Sequence, residues 1–235
     1  MLGPIDYALW FASALLEAGV VVCSLRTRSF RRYFALNFFM LGAFAINLGR
    51  FVVFQRYGFS SSEYYKYYYY SDALGTILLY FAVMGLYQLA FEEMGANKYV
   101  KGAAALLLGG TAFVSYLIVR EHTTQLTGRF VVELSQNLYF VGVVLTYLLW
   151  GMILKLGETR TRLIQLVLAL GVFFSAQAAA YALRNIGSNA NFGSDLAKLI
   201  PPLAGNLLPL AWSYTFLKVS DDARLVPARV AAPHR

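Results

Sequence analysis

The chain has 235 residues, 59% of them hydrophobic and 14% charged, and carries a formal net charge of +8. Soluble domains keep about a quarter of their residues charged, so this composition excludes a water-solvated globular protein and calls for lipid. The basic residues lie between apolar runs, which excludes nucleic acid as a partner, and the single cysteine, Cys23, excludes an intrachain disulfide.

The opening "MLGPIDYALW" lacks the basic stretch of a secretory signal, so the first apolar segment is expected to be retained. A hydrocarbon core of about 30 Å needs roughly 20 apolar residues per helix. Seven runs meet that length: Ile5–Leu25, Tyr33–Phe54, Asp72–Phe91, Val100–Val119, Val132–Leu154, Arg162–Leu183 and Leu196–Leu217. Each is predicted helical, because backbone groups without partners are too costly in lipid. The expected fold is an all-α integral membrane protein, a seven-transmembrane-helix bundle over residues 1–217, followed by a flexible cytoplasmic tail, 218–235.

Residues three and four apart share a helix face, and most spans carry one polar line. The first has Asp6, Trp10, Ser13, Glu17 and Ser24; the second has Asn37, Asn47 and Arg50. Glu17 is the deepest carboxyl, a candidate proton-binding site or hydrogen-bond donor. Between the second and third spans, "SSSEYYKYYYYSD" reads as a loop whose tyrosines anchor the protein at the membrane interface. If the third helix extends outward, Tyr65, Tyr68 and Tyr69 share the face of Asp72, while Tyr64 and Tyr67 turn elsewhere.

The third span then carries Asp72, Thr76, Tyr80 and Tyr87. The fourth, "VKGAAALLLGGTAFVSYLIV", has little polar character and suits a peripheral linker helix packed through small residues. The fifth carries Glu133 and Asn137, the sixth Gln177, Tyr181 and Arg184, and the seventh Asp195, Lys198 and Asn206. Pro201, Pro202 and Pro209 predict a kink or break in the seventh helix near Asn206. Ionisable groups inside spans are expensive and should face the bundle interior. Arg50, Asp72, Glu133, Arg184 and Lys198 thus predict an outer polar vestibule with a surplus cation, suited to an anionic or carboxylate-bearing small molecule. Asp72 and Glu133 are each expected to pair with Arg50, Arg184 or Lys198.

Orientation follows the Lys/Arg bias. Arg26, Arg28, Arg31, Arg32, Lys98, Lys101, Lys155, Arg160, Arg162, Lys218 and the arginines of the tail fall on one side; fewer, Arg50, Arg56, Lys66, Arg120, Arg129, Arg184 and Lys198, fall on the other. The N-terminus is therefore expected outside and the C-terminus inside the cell's inner (plasma) membrane. The chain also overlays on itself: Leu9 falls on Leu138, Arg26 on Lys155, Gly42 on Gly171, Phe44 on Phe173, and "SDAL" at Asp72 matches "SDLA" at Asp195. This predicts two parallel repeats, 5–91 and 132–217, joined by the linker helix 100–119.

Enzyme chemistry, metals and cofactors are not expected. The two histidines, His122 and His234, cannot build a haem pair or a zinc site, and neither GxSxG nor a Cys/His pair is present. The seven-helix plan resembles that of microbial rhodopsins, and "YSDALGT" is similar to their third-helix segment. The retinal lysine has no counterpart, since Lys198 begins the last helix and its deeper positions are Leu207 and Leu208. The parallel repeat resembles SWEET-type sugar transporters, without their Pro-Gln signature. Both resemblances concern architecture, and no functional residue follows from them.

The candidate ligand-binding residues are Glu17, Arg50, Asp72, Tyr80, Glu133, Asn137, Gln177, Tyr181, Arg184, Lys198 and Asn206. The leading expectation is a ligand-binding or sensing module acting through a membrane protein partner, because the tail is too short for a kinase or cyclase domain. The alternatives are a small-solute or proton-coupled transporter, and an accessory subunit of a larger membrane complex.

Overall fold

The structure is a computed structural model and describes residues 4–91, 97–120, 126–155, 160–186, 191–221 and 223. The elements are α1 (Pro4–Arg26), α2 (Phe34–Tyr57), α3 (Ser62–Ala90), α4 (Asn97–Arg120), α5 (Leu126–Lys155), α6 (Thr161–Ile186) and α7 (Asn191–Lys218). No strand occurs among the described residues. Among the described residues, five helices (α1, α2, α3, α5 and α6) are long and apolar enough to cross a membrane.

Packing runs in a closed ring, α1–α2–α3–α5–α6–α7 and back to α1, with α4 outside it against α5 and α3. Leu36, Met40, Leu79, Leu138, Leu166, Phe174, Trp212 and Phe216 are fully buried within the ring, while Leu15, Val22, Leu74, Leu106, Leu154, Val172 and Leu207 are exposed on its outside. A greasy exterior this continuous would aggregate in water and suits acyl chains. Buried hydroxyls bond back to their own helices: Thr111 to the Leu107 carbonyl, Ser115 to that of Thr111 and Thr146 to that of Gly142. That satisfies each polar atom without water.

Three elements differ from the expectation. Helix α3 begins at Ser62, because the Ser61 hydroxyl accepts the Tyr64 amide at 3.0 Å and Glu63 sits in the first turn. The tyrosine cluster is therefore helical. The loop before it is short, turned by Gly58 at φ 80, whose amide donates to the Phe54 carbonyl. Helix α7 is continuous through Pro201, Pro202 and Pro209, with no break near Asn206. There the Asn206 Nδ2 donates to the Pro202 carbonyl at 2.8 Å, and packing against α6 and α1 supports the helix across the missing amides.

The third difference lies at the end opposite the tyrosines. Arg162, at the start of α6 and with its side chain only 5% exposed, donates to the Val219 carbonyl through Nε and Nη2 and to the Ser29 hydroxyl through Nη1. It also faces Asp221 at 3.4 Å. Asp221 accepts from Arg32 at 2.6 Å and from the Tyr33 hydroxyl at 3.0 Å, and the Thr161 amide donates to the Ala223 carbonyl. The first residues of the tail are thus clasped to α6 and to the α1–α2 turn; 224–235 lie outside the described residues.

Close packing of α5 on α6 depends on Gly142. A Cβ there would meet the Phe174 ring at 2.1 Å, and that ring is fully enclosed. Gly142→Ala is expected to destabilise the bundle by roughly 1–3 kcal/mol through overpacking. Gly151→Ala on the same helix, where a Cβ meets nothing within 4 Å, should be neutral or slightly stabilising. Thermal unfolding of the two variants in detergent checks the contrast, and equal midpoints would refute it.

Candidate ligand cavity

A cavity of about 460 Å³ lies between α1, α2, α3, α5, α6 and α7, toward the tyrosine end of the bundle. The ring excludes α4, which contributes no wall residue among the described residues.

Near the mouth, α2 presents Arg50. Its Nε donates to Ser71 Oγ at 2.9 Å and its Nη2 to the Tyr68 carbonyl at 3.3 Å; Nη2 also lies 3.8 Å from the Asp72 carboxylate. The guanidinium sits over the Tyr68 ring, 4.4 Å from its centroid. All these contacts engage one edge of the fork, and Nη1 makes none among the described residues. Tyr64 is buried on the same wall, closing on Phe54 and Phe59.

Deeper, Glu17 of α1 is 7% exposed and accepts from Asn47 Nδ2 at 2.7 Å on both carboxyl oxygens, with Ser13 Oγ at 3.3 Å from one of them. The short turn between α1 and α2 sets this register, pairing Ser24 with Asn37 below and Trp10 with Phe54 above. Across the cavity, Gln177 of α6 makes no hydrogen bond among the described residues. Asn206 of α7 has its Oδ1 buried and without a partner there. Apolar faces come from Trp10, Phe39, Tyr139 and Phe173.

Glu17, Arg50, Asp72, Gln177, Tyr181 and Asn206 therefore share one cavity. Tyr80, Glu133 and Asn137 do not lie on its wall. Tyr80 is buried in the apolar core on the face of Tyr87, whose hydroxyl donates to the Leu145 carbonyl of α5. Asn137 lies about 160° around α5 from Tyr139 and donates to Ser115 of α4 at 3.0 Å. Glu133, about 120° from Tyr139, has no ion pair among the described residues. The side chains of Arg184 and Lys198 lie outside the described residues. Of the expected pairings, Asp72 with Arg50 is present at 3.8 Å. The expected surplus of cations rests on Arg184 and Lys198 and so lies outside the described residues; the described walls hold Arg50, Asp72 and Glu17.

The tyrosine face also differs. Tyr64 and Tyr68 line the cavity, whereas Tyr65 is 57% exposed and packs on Tyr69. Positions 64, 68, 72 and 76 form one row of fourth residues, and all four line the cavity. Tyr139 and Phe173 escaped the sequence reading because aromatic residues in an apolar span carry no sign of which side they face.

Long apolar helices and a continuous apolar exterior make this chain a helical, membrane-type protein. No protein family, no curated protein and no solved structure matches it.

Proposed function

We propose that the chain is a seven-span protein of the inner (plasma) membrane, N-terminus outside and C-terminus inside, that captures a small carboxylate-bearing molecule and relays binding to a membrane partner. The observation that carries this reading is the cavity itself. It sets charged and amide side chains among apolar walls, lies toward the tyrosine end and borders packed core, while the Arg162 clasp lies at the opposite end. Its volume lies in the range of small-molecule sites. The unengaged edge of Arg50 is suited to a carboxylate.

The parallel-repeat plan belongs to the same reading, and a ring packed in chain order accommodates it. Contacts α1–α2, α2–α3 and α3–α5 recur as α5–α6, α6–α7 and α7–α1, as a two-fold relation would require. A second reading, transport, is favoured by one observation: Pro201, Pro202 and Gly205 of α7 form part of the wall beside the deep carboxyl Glu17.

Thermal unfolding in detergent, followed by thiol labelling at Cys23, tests the binding reading. Small carboxylates should raise the midpoint of the natural chain and not that of Arg50→Gln. Absence of any shift across carboxylates, amines and zwitterions would remove it. Uptake into proteoliposomes under a pH gradient separates the second reading, which requires flux that Glu17→Gln abolishes. Recovery of a partner from native membrane supports the relay.

A further inference from the structure

We propose that the molecule held in the cavity is a zwitterion bearing a carboxylate and a protonated amine on one carbon, as in an α-amino acid, with Arg50 taking the carboxylate and Glu17 the ammonium. This deepens the reading of the cavity as a carboxylate site and rests on it.

The cavity has two chemically opposite levels. At the mouth the unengaged group is a donor, the Nη1 edge of Arg50. Deeper, Glu17 and Asn206 present acceptors. Asn47 lies three residues before Arg50 on α2, about 4.5 Å lower along the helix, and it presents the Glu17 carboxyl. On the other side of α1, α7 runs alongside it with Gly19 against Ser213, which sets Asn206 at the level of Ser13, one turn above Glu17. Its buried Oδ1 has no donor among the described residues.

An unmatched acceptor of this kind costs free energy until a donor arrives. An ammonium brings three N–H groups, enough to reach a Glu17 oxygen and Asn206 Oδ1 together. A simple carboxylate would leave this level unmatched, and a simple amine would leave the Arg50 edge unmatched. A zwitterion matches both levels and adds no net charge to a low-dielectric space. Trp10, Phe39 and Phe173 supply an apolar wall for the rest of the molecule.

The test uses the whole protein in detergent and three matched sets of probes: the standard L-α-amino acids, their des-amino carboxylic acids and their decarboxylated amines. Calorimetric titration should find at least one amino acid bound more than tenfold tighter than its matched acid and its matched amine. Glu17→Gln should weaken that amino acid at least tenfold while leaving the matched acid unchanged. Asn206→Ala, which removes the second acceptor without touching Glu17, should weaken the amino acid and spare the acid. Circular dichroism and the unfolding midpoint establish that both variants are folded. If the acids bind as tightly as the amino acids and both variants bind them normally, the zwitterion falls while the carboxylate site stands. If the amines alone bind, both the zwitterion and the carboxylate site fall. If none of the three sets binds, the cavity is not a site for any of them, and both inferences fall.

Discussion

Arg162→Ala is expected to lower the unfolding midpoint of the detergent-solubilised protein more than any substitution on the cavity wall. The guanidinium is buried and holds the Val219 carbonyl, the Ser29 hydroxyl and the Asp221 carboxylate in one place. Removing one member of a buried pair strands the rest, at roughly 3–5 kcal/mol. Asp221 is 29% exposed and can recover some hydration, so the lower end, about 3 kcal/mol, is expected. For a chain of this size that is about 6–12 °C in midpoint.

Lysine cannot reproduce the fork, so Arg162→Lys should recover only part of the loss. Asp221→Asn keeps the shape of the acceptor and removes its charge, and it should fall between the natural chain and Arg162→Ala. Cys23 labelling during heating reads all three. An unchanged midpoint for Arg162→Ala would show that the clasp holds nothing together.

The second large effect is expected at Trp212. Its ring is fully buried, edge-on to Phe39 at 6.2 Å, and its Nε1 donates to the Leu166 carbonyl of α6 at 3.2 Å. Trp212→Ala opens a void where α7, α6 and α2 meet. Burial against lipid gains little from water exclusion, but the lost dispersion contacts are not replaced. The cost should lie near the lower end of the range for aromatic truncation, about 3 kcal/mol. Trp212→Phe separates the terms, since it keeps most of the packing and removes only the hydrogen bond, worth about 1 kcal/mol. Equal losses in both variants would mean that the hydrogen bond, and not the packing, dominates.

How much of the site was legible depended on the kind of residue. A charge or amide inside an apolar run is costly enough to announce itself, and Glu17, Arg50, Asp72, Gln177 and Asn206 were read from that cost. All five lie on the cavity wall. The same rule misdirected at Asn137, because an amide can also satisfy itself against a neighbouring helix, here at Ser115 of α4. It misdirected at Tyr80 for a related reason, since a tyrosine is apolar enough to be buried in the core. The partner of Glu17 was one step from legible. A short turn joins α1 to α2, so once its length is known Asn47 must stand opposite Glu17.

By itself the sequence determined that this is an apolar, all-helical, membrane-type chain, because composition and run length decide what solvent a helix can tolerate. It also marked α4 as peripheral, through its shortage of polar groups. Only the tertiary structure decided the rest: that α3 carries the tyrosines as helix, that α7 passes its prolines unbroken, and that Tyr64 rather than Tyr65 lines the cavity. It also decided that the tail begins under a clasp. Each of these depends on which face a neighbouring helix covers and on which distant groups meet, as Arg162 meets Asp221. Periodicity along one helix carries no record of its neighbour's rotation, and that rotation is settled by packing alone.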